Sequence, residues 1–233
     1  MSESVESGLP ALVVFDLAGT TVIDRKIVFR SFRSALEELE VEVDEEQIRE
    51  VMGLAKPEAI ERLLRGRSPR DQLQERITAI HAAFRRRVLE HYRQDPSVGE
   101  VPGTSEVFRW LQDQGVRIGL DTGFDRGITN VVLDRMGWER RALFDASITS
   151  DEVALGRPHP DMIQRLMQRF RIEDPARVAK VGDTPVDMEE GRNVGCGWIV
   201  GVTSGSGSKE ELEAAGATHV IPSVRDLPSL LGG

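Results

Sequence analysis

The chain has 233 residues, 39% of them hydrophobic and 30% charged, with a formal net charge of -9, a composition suited to a globular core domain and a smaller companion. The acidic balance opposes binding to nucleic acid or an anionic membrane surface, so neither is expected as a partner, and an anionic ligand needs local positive charge. A single cysteine, Cys196, excludes an intrachain disulfide and points to the cytoplasm. The polar, acidic opening MSESVESGLP has no signal-peptide pattern, and no stretch approaches the ~20 apolar residues of a membrane span.

In chain order, residues 11–16 form an apolar run ending in Asp16, a buried strand followed by a Gly-Thr-Thr turn. From about Arg25 to Tyr92 glycine is sparse and apolar residues recur at helical spacing, as in Phe29, Phe32, Leu36 and Leu39, which predicts four or so helices. The Pro/Gly-containing segment 94–103 is a linker. Strand and helix then alternate. Strands are expected at 116–121, 146–149, 178–182, 198–202 and 219–221, and helices at 105–114, 126–136, 161–170, 186–193 and 210–215. This is the pattern of an α/β fold, a Rossmann-like parallel-sheet core. The helical block interrupts it after the first strand. It is therefore an inserted α-helical cap, residues 24–99, over a core made of residues 1–23 and 100–233.

Asp16, the Asp121–Thr122 pair and Asp183 all fall at expected carboxyl ends of strands, where α/β proteins bind ligands. Asp187 follows Asp183 by one helical turn, so both carboxylates can face one point. Arg157 lies in a loop before a helix. Carboxylates, a hydroxyl, backbone amides and a cation in this order suit a phosphate group with Mg²⁺.

These segments resemble the motifs of the haloacid dehalogenase superfamily, from Leu12 to Ile221. "FDLAGT" is similar to the first motif, "LDTG" to the second, "GRPHPD" to the third and "VGDTPVDMEEGRNVG" to the fourth. The resemblance implies that Asp16 is the nucleophile and that Thr122, Gly123 and Arg157 bind the phosphoryl group. It implies Mg²⁺ held by Asp16, by the Ala18 carbonyl and by Asp183 as a direct ligand, with Asp187 orienting. Most phosphatases of this superfamily carry a second aspartate two residues after the nucleophile; here the position is Ala18, which cannot protonate a leaving group. The combination "DLAGTT" with arginine in the third motif resembles the phosphonatase branch, the phosphonoacetaldehyde hydrolases and their relatives.

In that branch a cap lysine forms a Schiff base with the substrate aldehyde, and the carbon leaves as an enamine. "VMGLAKPEAI" resembles the corresponding cap segment and puts Lys56 at that position. Pro57 suits the first turn of a helix, and the positive end of that helix disfavours the ammonium form of Lys56. A neutral amine is what carbinolamine formation requires. Phosphonatases carry a histidine three residues after the lysine, where this chain has Ala59. Three functions follow. The first is Mg²⁺-dependent C–P hydrolysis of phosphonoacetaldehyde or a related small phosphonate. The second is a phosphomonoesterase of phosphoglycolate-phosphatase type on a small metabolite. The third is a non-catalytic binding protein, whose broken motifs are not seen.

Other residues have plainer expectations. Asp24 and Arg25 help position the cap, Asp121 is structural, and Asp125 caps the helix after it. Arg85–Arg87 form a solvated helix face. His81 and His91 lie in the cap without an assigned partner, His159 is a spacer between two prolines, and His219 opens a strand. Cys196 is buried, and Trp110, Trp138 and Trp198 belong to the core or its rim. The stripe Phe29, Phe32, Leu36 serves either core packing or a homodimer through the cap.

Overall fold

The structure, a computed structural model, describes residues 8–232; most of the opening segment, residues 1–7, lies outside that range. Among the described residues six strands form one parallel sheet. They are β1 (Leu12–Phe15), β2 (Arg117–Thr122), β3 (Ala146–Thr149), β4 (Val178–Gly182), β5 (Trp198–Val202) and β6 (His219–Ile221). Their order is β3-β2-β1-β4-β5-β6. All of β1 is buried, as a central parallel strand covered by helices on both faces must be. Val13 and Phe15 join the core on one face with Phe108 and Leu111. Leu12 and Val14 join the other with Met162, Ile163 and Leu166. The alternation of β1 between two apolar layers follows directly from the two-residue period of a strand.

The chain leaves β1 in one direction for β2 and β3 and returns on the other side for β4. The crevice beside β1 is therefore a topological switch point, the ordinary ligand site of an open α/β sheet. Register aligns the strand ends there: Phe15 pairs with Leu120 on one side and Val181 on the other. Asp16, Asp121 and Asp183 thus emerge together at the carboxyl edge.

Four helices fill the insertion between β1 and the next core helix, as the spacing predicts: α1 (Ile27–Glu38), α2 (Glu45–Glu50), α3 (Lys56–Leu64) and α4 (Leu73–Gln94). The core helices are α5 (Thr104–Asp113), α6 (Arg126–Met136), α7 (Asp161–Phe170), α8 (Pro185–Val194), α9 (Lys209–Ala214) and α10 (Leu227–Leu231). Phe32 and Leu36 are fully buried and Phe29 is partly buried against the same cluster. The stripe on α1 therefore packs inside its own chain, with Phe32 edge-on to Phe84 of α4 at 5.9 Å between ring centroids. Arg85–Arg87 differ from a freely solvated face. Arg85 Nε donates to Asp125 of the core at 2.7 Å, and Arg86 and Arg87 both pair with Glu38 of α1. Asp125 also accepts from the Ile128 amide at 3.0 Å, so one carboxylate caps α6 and ties the insertion to the core. Cys196 and Trp138 are buried, as expected. No helix among the described residues is long and apolar enough to cross a membrane.

Candidate active site

A small cavity of about 40 Å³ lies at the switch point, lined from the core by Asp16, Ala18, Thr122, Gly123, Arg157 and Asp183. The insertion closes it with Met52, Gly53, Leu54 and Lys56, and Asp24 stands at the crossing between the two parts. Two close backbone approaches fix this closure. A Cβ on Gly123 would lie 2.8 Å from the Gly53 carbonyl oxygen and 2.9 Å from that of Leu54. Gly53 itself has φ +85°, and a Cβ there would meet Thr184 Oγ1 at 2.7 Å. Glycine at both positions allows the "MGL" segment to lie directly on the second and fourth motifs.

Asp16 follows β1 and is held by its amide, which donates to the Val181 carbonyl at 3.0 Å. Its Oδ1 accepts from Arg157 Nη1 at 2.9 Å. Burial pushes its carboxyl well up, against the pull of Arg157, and Asp187 and Asp183 push in the same direction as burial. Arg157 also donates to Asp187. Burial disfavours its charge, but Asp187, Asp16 and Asp121 more than reverse that and keep it protonated.

Asp183 is fixed from three sides. Its Oδ1 accepts from Thr20 Oγ1 at 3.1 Å, and its Oδ2 accepts from the amide and hydroxyl of Ser206 at 2.7 and 2.9 Å. Burial, and then Asp187, push its carboxyl up to about 7. Asp187 opens α8 in a reciprocal cap with Thr184: the Asp187 amide donates to Thr184 Oγ1 at 3.3 Å, and the Thr184 amide donates to Asp187 Oδ2 at 3.1 Å. Burial raises Asp187, yet the Arg157 and Lys180 cations overcome it and hold the carboxyl below its ordinary range. Thr122 is buried at the end of β2, where its hydroxyl accepts from the Phe124 amide at 3.2 Å.

Ligand oxygens of Asp16, Asp183 and Asp187 lie within 4.8 Å of one another. Five buried carboxyls, counting Asp121 and Glu190, face two buried core cations, Arg157 and Lys180. Such an excess of hard anionic oxygens in a buried site fits Mg²⁺, which neutralises them in a way that neither cation alone does.

Lys56 is the first residue of α3, with Pro57 in the first turn. It is 4% exposed. Its Nζ lies 5.2 Å from the Phe32 ring centroid and 5.4 Å from that of Phe84. Burial, then the Arg157 charge, bring its pKa down to about 8, although Asp24 and Asp16 pull the other way. The helix start that the sequence predicts is therefore joined by a second effect, desolvation in an aromatic slot.

The profile of the haloacid dehalogenase-like hydrolases matches residues 10–195. The chain belongs to this hydrolase family. It is 28% identical to phosphonoacetaldehyde hydrolase of Latilactobacillus sakei, over 94% of both chains. It is 30% identical to the Bordetella pertussis protein of the same name, over 94% of this chain and 90% of that one. Among solved structures, a phosphonoacetaldehyde hydrolase-like protein from Oleispira antarctica superposes with a TM-score of 0.82 at 25% identity, covering 99% of this chain and 94% of the other. CbbY from Rhodobacter sphaeroides shares the fold, with a TM-score of 0.76 at 21% identity over 94% of this chain and 96% of the other.

Within this hydrolase core, one buried charge escapes a motif-based reading. Lys180 in β4 is fully buried and bonds Asp121, with Asp187 at 3.2 Å and Glu190 at 2.9 Å. Asp121 is thus structural, as expected, but as part of an ion network beneath the site. The signal was present in "VAKVG": a lysine inside a strand buried on both faces must find carboxylates. Of the histidines, His91 pairs with Asp95 at 3.2 Å. His81 and His159 line a second cleft, of about 300 Å³, on the far side of Gly123. Ala59 is fully buried in α3.

Proposed function

We propose that this hydrolase cleaves the C–P bond of phosphonoacetaldehyde or a related small phosphonate, with Asp16 as nucleophile and Lys56 as Schiff-base lysine. The observation that carries the reading is the placement of a buried lysine, with its pKa lowered to about 8, on the same small cavity as Asp16, Thr122 and Arg157. The phosphonoacetaldehyde hydrolases to which the chain is similar support the choice of substrate. Arg157 and the Gly123 amide bind the phosphonate oxygens, and the Thr122 hydroxyl completes the cradle. Lys56 attacks the aldehyde carbon, and loss of water leaves an iminium. Asp16 then attacks phosphorus as the C–P electron pair becomes a C=C bond and the iminium π pair returns to nitrogen, giving an enamine. An electron sink on the cap thereby replaces the acid that Ala18 cannot supply.

Asp16, Asp183 and the Ala18 carbonyl would hold Mg²⁺, with Asp187 orienting the set through Arg157 and Thr184. When bound, the ion offsets the charge of the phosphonate and of the attacking carboxylate. Wild-type enzyme with Mg²⁺ is expected to release phosphate and acetaldehyde in equal amounts from phosphonoacetaldehyde, and chelation should stop it. Rapid phosphate release from phosphomonoesters, with phosphonoacetaldehyde inert, would replace this reading by that of a phosphoglycolate-type phosphatase.

A further inference from the structure

We propose that Asp24 is the acid–base residue of the lysine half-reaction, carrying the proton that both Ala18 and Ala59 are unable to carry. The inference rests on the Schiff-base reading of Lys56. Asp24 lies at the first crossing from core to insertion and lines the cavity together with Lys56 and Asp16. The chain is pinned at this point. Val22 bridges Ala18 and Glu100, and Arg25 and Lys26 take left-handed φ values of 44° and 63° without being glycine. Conformations of this kind persist only where the surroundings enforce them. Asp24 Oδ1 accepts from the Val28 amide at 3.0 Å, and its carbonyl accepts from the Ile27 amide at 2.8 Å. The carboxyl is thereby held on a rigid frame, at the wall of the cavity that carries Lys56.

Among the carboxylates acting on Lys56, Asp24 stands ahead of Asp16. No ion pair within 4.0 Å joins Lys56 to a carboxylate among the described residues, and Asp24 and Lys56 both line the same cavity. The ionisable groups around Asp24 are Lys56 from α3, His91 and Tyr92 from α4, and Asp183 from the core. Burial raises the Asp24 carboxyl, over the opposing pull of the Val28 amide, His91 and Lys56. His91 already pairs with Asp95, and burial keeps the Tyr92 phenol protonated. Asp24 is thus the group at this end of the cavity that can both give and take a proton.

Lys56 Nζ bonds to the aldehyde carbon to form a carbinolamine. The Asp24 carboxyl gives its proton to the carbinolamine hydroxyl, the C–O bond breaks, and the nitrogen lone pair forms the C=N bond as water leaves. Asp24 is then a carboxylate. After C–P cleavage the enamine carbon takes a proton from solvent, matched by the proton released when water hydrolyses the aspartyl phosphate. Water then adds to the iminium, its surplus proton returns to Asp24, and collapse of the carbinolamine frees the aldehyde and the Lys56 amine.

The test uses the full chain with Mg²⁺ and phosphonoacetaldehyde, and follows borohydride trapping on the Lys56 peptide, phosphate release and thermal melting. Asp24→Asn and Asp24→Ser keep an acceptor for the Val28 amide and so preserve the start of α1. Both should lose roughly 10²–10⁴-fold in trapping rate and turnover without a lower melting temperature. Added acetate should restore part of the rate in Asp24→Ala. Wild-type trapping rates in Asp24→Asn would overturn the proposal while leaving the Lys56 chemistry standing. A loss that tracks melting temperature and is not rescued by acetate would reduce Asp24 to a helix cap, which also overturns it. Absence of trapping in the wild type would remove the Schiff-base reading itself, and this inference with it.

Discussion

Asp16→Asn should abolish phosphate release from every substrate, with a loss on the order of 10⁴–10⁶-fold, the scale on which removal of a nucleophile is felt. An amide nitrogen or oxygen does not form the covalent intermediate, and it is a weaker metal ligand than a carboxylate. The fold should survive. Burial and its acidic neighbours raise the Asp16 carboxyl in the folded chain, so its ionised form opposes folding at neutral pH, above the unfolded pKa. Replacing it by a neutral isostere removes that penalty. The melting temperature without Mg²⁺ should therefore be unchanged or higher, while rapid-quench assays detect no phosphoenzyme. Turnover within tenfold of wild type would show that the nucleophile lies elsewhere.

Lys56→Arg should abolish C–P cleavage and leave any phosphomonoesterase activity largely intact. A guanidinium with pKa above ~12 supplies no free amine, whereas Asp16, Thr122, Arg157 and Asp183 are unchanged. Arginine is bulkier than lysine in the slot between Phe32 and Phe84, so Lys56→Met serves as the matching variant of similar length. The pH dependence has a defined sign. Burial lowers the Lys56 pKa to about 8, so the reactive amine grows as pH rises through that value and is lost below it. At pH 7 about 10% of the residue is neutral, against roughly 0.04% for an ordinary lysine near 10.4. Addition of Lys56 to the aldehyde, read in Asp24→Asn where no acid titrates alongside the amine, should therefore rise about tenfold per pH unit below 8 and level off above it. A rate that is flat from pH 6 to 9, or a Lys56→Met variant that still cleaves the C–P bond, would exclude the amine from the chemistry.

Much of this architecture is legible in the sequence because its parts obey local rules. An apolar run ending in aspartate marks β1, and 3.6-residue spacing without glycine marks the inserted helices. Thr122 and Asp183 are legible from the strand-end pattern, and Arg157 from its motif. Local rules fail where a charge is explained by a distant partner. The strand around Lys180 shows that it needs carboxylates, but which ones emerges only when β4 is seen between β1 and β5, with Asp121, Asp187 and Glu190 around it. Arg85 reads as a solvated charge because helical periodicity cannot show that Asp125 of the core stands opposite. The contact of Gly53 with Gly123 joins positions seventy residues apart in the chain and emerges only when the insertion folds over the sheet edge. Asp24 is legible as a residue that helps position the cap, but its place on the same cavity wall as Lys56 is a property of that closure.

Covalent capture of the substrate on the cap lysine tests the central claim most directly. Wild-type enzyme mixed with phosphonoacetaldehyde and borohydride should gain the reduced carbon skeleton as a secondary amine, and peptide mass spectrometry should place it on Lys56. Trapping should be absent in Lys56→Met. An unmodified Lys56, in enzyme that still hydrolyses phosphomonoesters through Asp16, would contradict the account.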